Sequence, residues 1–361
     1  MSTTLDALLL PLNQGLDALH AGAPFEAHES FEAAMLAARA HADDAPPRGE
    51  PSPRAIEALA RVLALRAAAA VKADQGNPVG RARHLEKLAV ACATLGADTA
   101  GGLLGLDLVA LEAEARWASA APARALPRVP TRLAARGVLY LHGFASSPRS
   151  SKAQRFVARA EARGVPIKVP DLNRDDPTPD RPDGRFAFEA LTARRALRAA
   201  RRLAFPRTIV VGSSLGGYLA TLLAADDPTR VERLILMAPA FDLAARLEGR
   251  HGAAALVAWR ASGATEVDHY GTERPERIGY GLLADARRHA PMPDPGAIPS
   301  DVLHGLHDDV VPIALSERFV AARPDTRRLV HADDGHELVA SVDVALAFLD
   351  AALDAPSPGP W

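Results

Sequence analysis

Apolar residues recur every three to four positions through the first 120 residues, and the period then changes. Leu5 to His20 carries the helical period and stops at Ala21-Gly22-Ala23-Pro24. Pro24, whose fixed φ suits a first turn, opens a second helix that runs through Met35. The polar, Pro-rich stretch 43–53 reads as a loop. A third helix is expected from Arg54 to Asp74, stopped by Gln75-Gly76-Asn77-Pro78, and a fourth from Val79 to Leu95. Gly101-Gly102 breaks the pattern before a fifth over Leu103–Ala118, and no strand signal appears in this part. Short breaks between amphipathic helices predict an antiparallel all-α bundle over residues 1–120.

Residues 121–135 have no period, and three prolines fall between Pro122 and Thr131, so the stretch reads as a linker. Beyond it, short β-branched runs alternate with helical ones. Strands are expected at Gly137–Leu141, Val165–Asp171 (an edge, from its prolines), Thr208–Val211, Arg233–Pro239, Ser300–His304 and Arg327–His331. Helices are expected at Ser151–Arg163, Phe186–Leu203 and after Tyr218. About six strands alternating with helices imply an α/β domain over 136–355, with a doubly wound, mostly parallel sheet. An insertion at about 241–298 holds helical pieces and the aromatic residues Trp259, Tyr270 and Tyr280. Loops at the C-terminal ends of such strands form ligand sites, so this insertion is a candidate cap as well as a candidate packing decoration.

Composition narrows the classes. The chain has 361 residues, 48% apolar and 24% charged, with a formal net charge of −2, which calls for neither nucleic acid nor an anionic membrane. The single Cys92 excludes an internal disulfide and sits in a helical apolar pattern, as a small core residue would. No secretory signal or run of about 18 apolar residues is present, so the cytoplasm is expected. The second helix carries Glu26, His28, Glu29 and Glu32. His28-Glu29-x-x-Glu32 half matches a zinc-protease motif but lacks its second His, and reads better as a network joining helices than as a metal site.

The chemistry is concentrated at Gly212-Ser213-Ser214-Leu215-Gly216, a Gly-x-Ser-x-Gly turn between a strand and a helix. That context is a nucleophile elbow, which lifts the Ser214 hydroxyl clear of the sheet and sets Leu215 N–H beside a developing oxyanion. Serine needs a base, and the base needs a carboxylate to orient it, in the chain order Ser, acid, His. Gly305-Leu-His-Asp-Asp-Val310 supplies Asp308, with the adjacent Asp309 as the alternative acid, and Asp333-Asp-Gly-His336 supplies His336. His304 and His307 order the acid loop, His331 lies within a strand, and Ser213 points elsewhere. The first strand's loop, His142-Gly143-Phe144, offers Phe144 N–H as the second oxyanion donor, with His142 bracing the loop.

From about Arg136 to Leu353 the chain resembles a serine α/β-hydrolase of the YqiA-type esterases. The likeness rests on Tyr140-Leu-His-Gly-Phe-x-Ser-Ser-Pro-x-Ser-x-Lys152, on Gly212-Ser-Ser-Leu-Gly-Gly217 and on Gly335-His336. It implies a short form of that fold with Ser214, Asp308 and His336 as the triad, working without metal, nicotinamide or flavin. The first hundred residues resemble the helical family called domain of unknown function 309, through Phe25-Glu-Ala-His-Glu-Ser-Phe-Glu32 and Gly76-Asn-Pro78. That family brings no established chemistry. The expectation is an esterase or thioesterase acting on a small acyl substrate through an acyl-enzyme, with a peptidase or an inactive binding protein as alternatives. The helical domain is a candidate for self-association or for docking a protein partner.

Overall fold

The computed structural model describes residues 4–47, 49–99, 101–121 and 125–355. They form two compact units. One gathers 1–135 with 176–185 and 201–206, and the other gathers 136–175, 186–200 and 207–361.

The first unit is built on helices α1 (Thr4–His20), α2 (Pro24–Ala40), α3 (Pro53–Asp74), α4 (Pro78–Asp98) and α5 (Leu108–Ala120). Local chemistry sets the ends. Pro24, Pro53 and Pro78 each open a helix, and the Ser52 and Asn77 side chains accept from Ala55 N–H and Gly80 N–H. Leu12, Leu16, Phe31, Ile56, Leu59, Leu63, Leu85 and Leu88 fill one shared core. Cys92 lies in it, its thiol pushed up to about 12 by burial and by the Glu112 charge, which makes it a poor nucleophile.

The expected fifth helix starts five residues late, because Gly102–Leu103 (β1) and Leu106–Asp107 (β2) pair as a small antiparallel hairpin. Leu104 and Gly105, both at positive φ, make its two-residue turn, and Asp107 then caps α5. A Cβ on Gly102 would collide with Arg202 O, so this glycine marks a close backbone approach rather than only a helix break. Of the stretch expected as a linker, residues 122–124 lie outside the described residues, and Leu126, Val129 and Leu133 pack on the helical core. Asn13 holds Leu133 through two hydrogen bonds, 3.0 and 2.8 Å.

The second unit contains a six-stranded, wholly parallel sheet among the described residues. Its strands are β3 (Arg136–Leu141), β4 (Ile167–Lys168), β5 (Arg207–Ser213), β6 (Val231–Met237), β9 (Ser300–Gly305) and β10 (Arg327–Ala332), in the order β10-β9-β6-β5-β3-β4. β4 is an edge, as its prolines require, but only two residues long, since Pro166 and Pro170 have no N–H to give a ladder. Helices α6 (Ser151–Ala162) and α12 (Val342–Asp354) cover one face, with Phe156, Leu346 and Leu349 against Val138, Val211 and Ile235. The helix expected at 186–203 is shorter: a single 3₁₀ turn over Phe188–Ala190 precedes α7 (Ala193–Leu203), whose start is fixed by Thr192 Oγ1 accepting from Arg195 N–H. α8 (Leu215–Asp226) is buried almost all round.

Strand order reverses between β3 and β5. At such a switch point the loops after neighbouring strands part, leaving a crevice at their C-terminal ends. The insertion supplies α9 (Leu243–Ser262, broken at Gly252), α10 (Gly281–Ala286) and an antiparallel hairpin, β7 (Ala264–His269) with β8 (Arg274–Gly279). That hairpin was not expected from the sequence, because charged residues interrupt both of its strands and no β-branched run marks them. No helix among the described residues is long and apolar enough to cross a membrane.

One interaction in the helical unit carries a stability prediction. Buried Arg81 donates to the carbonyls of Ala118, Ala121 and Ala125 at 3.0, 2.8 and 3.0 Å, capping the C-terminal end of α5. Arg81→Met leaves these carbonyls without charged donors and should cost about 2–4 kcal/mol. A fall in the denaturant midpoint of the full chain measures it, and an unchanged midpoint would refute the cap.

Candidate active site

The site forms where β5 turns into α8. Ser214 stands between them with φ 51° and ψ −115°, a conformation that costs a non-glycine residue about 1–3 kcal/mol. Its neighbours make the turn possible. A Cβ on Gly216 would collide with Leu141 O of β3, and one on Gly212 would collide with Gly216 O. The backbone is held by Ser214 N–H donating to Met237 O at 2.9 Å, while Ser214 O accepts from Ala240 N–H at 2.9 Å. The end of β6 and the chain just after it thus clamp the residue from both sides, and Ser214 is left partly exposed.

The structure brings Ser214, Asp308 and His336 together, from three separate strand ends. His336 Nε2 lies 3.0 Å from Ser214 Oγ, and His336 Nδ1 lies 2.8 Å from Asp308 Oδ2. Asp308 has a fully buried side chain that accepts four hydrogen bonds. Oδ1 takes Val310 N–H and Val311 N–H at 2.9 and 2.7 Å, and Oδ2 takes His336 and His304 Nε2, the latter at 3.0 Å. Burial by itself raises the Asp308 pKa. The bonds from His304, His336 and Val311 N–H outweigh it and hold the carboxyl well below the usual carboxylate range. His304 is itself fixed, with Nε2 also 2.9 Å from Val311 O and Nδ1 2.8 Å from Ser316 Oγ. With two acceptors facing it, Nε2 carries the proton.

The rival residues are placed elsewhere. Asp309 is exposed and does not touch His336. His307 pairs with Asp333 and His331 with Glu317 on the surface, and Ser213 is buried in β5. On α2, His28 Nδ1 is 3.9 Å from Glu32 Oε1, and no cluster of His, Cys, Asp and Glu able to hold a metal occurs among the described residues.

The His336 loop is tied to the acid strand and to the first loop. A Cβ on Gly305 would collide with Asp334 O and Gly335 O, so the loop can cross the end of β9 only over a glycine. Asp334 accepts from Gly335 N–H and Ser341 N–H at 2.8 and 3.0 Å. Lys152 Nζ, from the first turn of α6, donates to Glu337 O at 2.6 Å and so reaches the residue next to His336. In the sequence Lys152 stood out only as the end of a motif, with no role attached.

The first loop carries the other candidate donor. His142 is buried, its Nδ1–H donates to Gly143 O at 2.9 Å, and its Nε2 accepts Leu172 N–H at 3.0 Å. Burial foremost, then the His269 charge, lowers its pKa against the opposing Gly143 carbonyl and Asp171 charge, as suits a brace rather than a proton carrier. A Cβ on Gly143 would meet Ser213 O and Ser214 Cβ at 3.5 Å, ordinary contact, so closeness to Ser214 rather than steric necessity distinguishes this glycine. Phe144 and Leu215 line one cavity of about 400 Å³ together with Ser214. Among the described residues neither N–H donates to a protein acceptor. The rest of that wall comes largely from the insertion, through Leu243, Arg246, Leu247, Arg250 and Leu282. Sequence reasoning singled out none of these, since no motif marks them.

Residues 137–343 match an uncharacterised protein family, UPF0227, and the chain belongs to it. The chain is 29% identical over 150 residues to the mouse (Mus musculus) mitochondrial palmitoyl-protein thioesterase ABHD10, covering 38% of this chain and 48% of that protein. The bovine (Bos taurus) counterpart is 28% identical over 145 residues, with 38% and 47% covered. The chain thus spans about half the length of the curated relatives it matches. Among solved structures, a provisionally named hydrolase from Agrobacterium vitis S4 aligns at 24% identity and TM-score 0.51, covering 61% of this chain and 88% of that one. Mouse α/β-hydrolase domain-containing protein 10 aligns at 21% and 0.51, covering 60% and 89%. These likenesses establish the α/β-hydrolase fold for the second unit.

Two outcomes follow from the geometry. Gly216→Ala forces the start of α8 away from the end of β3 and should cost more than about 3 kcal/mol or prevent folding, read as lost soluble yield or a lowered melting temperature. Asp308 has a lower pKa folded than unfolded, so its ionisation stabilises the fold above the ordinary carboxylate value and that contribution fades as pH falls below about 4. Wild type should therefore lose stability more steeply than Asp308→Asn below about pH 4 in a series of unfolding curves; parallel slopes would contradict it.

Proposed function

We propose that this UPF0227 member is a serine hydrolase that cleaves carboxylic esters or thioesters through an acyl-enzyme. The observation that carries the reading is the unbroken line Ser214 Oγ–His336 Nε2–Asp308, with links of 3.0 and 2.8 Å, at the wall of a cavity large enough for a small acyl group. His336 Nε2 takes the Ser214 proton as Oγ attacks the acyl carbon. The carbonyl oxygen becomes an oxyanion that accepts Leu215 N–H and Phe144 N–H. His336 returns the proton to the leaving alcohol or thiol, then draws a proton from water for the second attack, which frees the acid and restores Ser214. Asp308, ionised and held by four donors, keeps Nδ1–H of His336 oriented and balances the imidazolium. The name of the mammalian relatives, palmitoyl-protein thioesterase, favours keeping thioesters beside esters as substrates.

The same reading extends to the first unit, which we take as similar to domain of unknown function 309. It rests on Phe25–Glu32 within α2 and on Gly76-Asn77-Pro78, where Asn77 caps α4 and Gly76 at φ 64° ends α3. Its role in this proposal is self-association or docking of a protein partner.

A fluorophosphonate probe should label the full chain, and Ser214→Ala should remove the label. With p-nitrophenyl butyrate, His336→Ala and Asp308→Asn should each lower kcat by about 10³–10⁴-fold. Labelling that survives Ser214→Ala, or wild-type rates in His336→Ala, would overturn the assignment.

A further inference from the structure

The cavity beside Ser214 is apolar on most sides, through Phe144, Leu215, Leu243, Leu247, Leu282 and Val310. One side differs. Arg246 and Arg250, a turn apart on α9, both reach the lining, and Asp309 is its single carboxylate. The acids of α9 nearest to them are engaged elsewhere, Asp242 with Arg318 and Glu248 with Arg287, each at 2.8 Å. Among the described residues neither Arg246 nor Arg250 forms an ion pair, and Asp309 pairs with neither. Arg246 is half-buried and spends one donor on Val310 O at 2.8 Å, in the loop that holds Asp308. Burial first, then repulsion from Arg250, lowers its pKa against the favourable charges of Asp308 and Asp242. An arginine kept only to brace α9 would need the Val310 bond and no second cation beside it. Two guanidiniums against an apolar wall make a receptor for a planar or tetrahedral oxyanion, with donors in a fixed fork.

We infer that Arg246 and Arg250 form an anion-recognition pair in the substrate cavity, selecting esters or thioesters that carry a carboxylate or a phosphate near the scissile group. The inference relies on the serine-hydrolase reading for its chemistry, though not for its binding. The anion sits either on the acyl chain or on the leaving group, and matched substrates separate the two.

The test uses the full chain and two pairs. Mono-p-nitrophenyl glutarate against p-nitrophenyl valerate places a carboxylate on the acyl side. Acetyl-coenzyme A against the acetyl thioester of N-acetylcysteamine places phosphate on the leaving side. In at least one pair the anionic member should have about tenfold or higher kcat/KM. That ratio should fall toward one in Arg246→Gln/Arg250→Gln, and should shrink in wild type as salt rises from about 50 to about 300 mM. Arg250 is exposed, so Arg250→Gln alone keeps the comparison readable if the double variant does not fold. No preference in either pair, or a preference unchanged in the variants, would overturn the inference. Calorimetry on Ser214→Ala gives an answer independent of turnover: in at least one of the two pairs the anionic member should bind more tightly, and the Arg variants should abolish the difference. If wild type hydrolyses nothing while that difference stands, the hydrolase reading fails and the anion pair survives; equal binding within both pairs overturns the anion pair.

Discussion

The second unit is organised by a backbone that no serine would choose freely. Ser214 at φ 51° and ψ −115° is tolerable only because β3, β5 and α8 approach one another across glycines, and because β6 accepts its N–H while the chain after β6 donates to its carbonyl. The strain is met by the burial of α8 and of the strands it covers, and the return is positional. Oγ projects from a rigid corner, beside the first N–H of a helix, where a flexible loop could not hold it. The sheet order adds the second requirement, since the reversal between β3 and β5 opens space at that corner alone.

From that corner outward, each partner is positioned by a different kind of contact. Asp308 is fixed by saturation, with four donors for its two oxygens, and a carboxylate so satisfied has no other geometry to adopt. His336 is fixed by the backbone around it, through Gly305 below, Asp334 beside it and Lys152 on Glu337 O. His142 fixes the donor loop from within, bridging Gly143 O to Leu172 N–H. None of these supports touches a substrate, yet each removes a way for the serine–histidine distance to lengthen. The arrangement is therefore overdetermined at its centre, whereas α9, which supplies part of the cavity wall, is interrupted at Gly252.

What was legible in the sequence follows the same division. The strands, the elbow and the order Ser214, Asp308, His336 could be read because each depends on local pattern: β-branched runs, glycines at two-residue offsets, polar groups just past a strand. The choice of Asp308 over Asp309 also had a local cue, the distance from Gly305, and the two carboxyls lie in different surroundings. The misses share a cause. The hairpins at 102–107 and 264–279 are too short or too charged for a period to show, and their pairing depends on what they pack against. The helix expected from Phe186 begins at Ala193 because Thr192 caps it, a signal hidden by the helix-forming residues before it.

The cavity wall was the least legible part, for a reason that bears on how such hydrolases diverge. Catalytic groups must meet within tenths of an ångström, so they are tied to strand ends whose spacing the sheet dictates. The wall has no such tie. Leu243, Arg246 and Leu247 stand on a helix whose period would look the same whether it faced a substrate or a core, and only the fold reveals that it faces Ser214. Among the described residues, exposed Arg250 bears no bond to the Asp308 loop, whereas Arg246 bonds Val310 O within it. The Ser214–His336–Asp308 distances are set by elements of the sheet, anchored apart from most of that wall. Under the proposed function, specificity would belong to the insertion and reactivity to the sheet, and the two meet at Val310, where Arg246 bonds the carbonyl of a residue whose N–H holds Asp308.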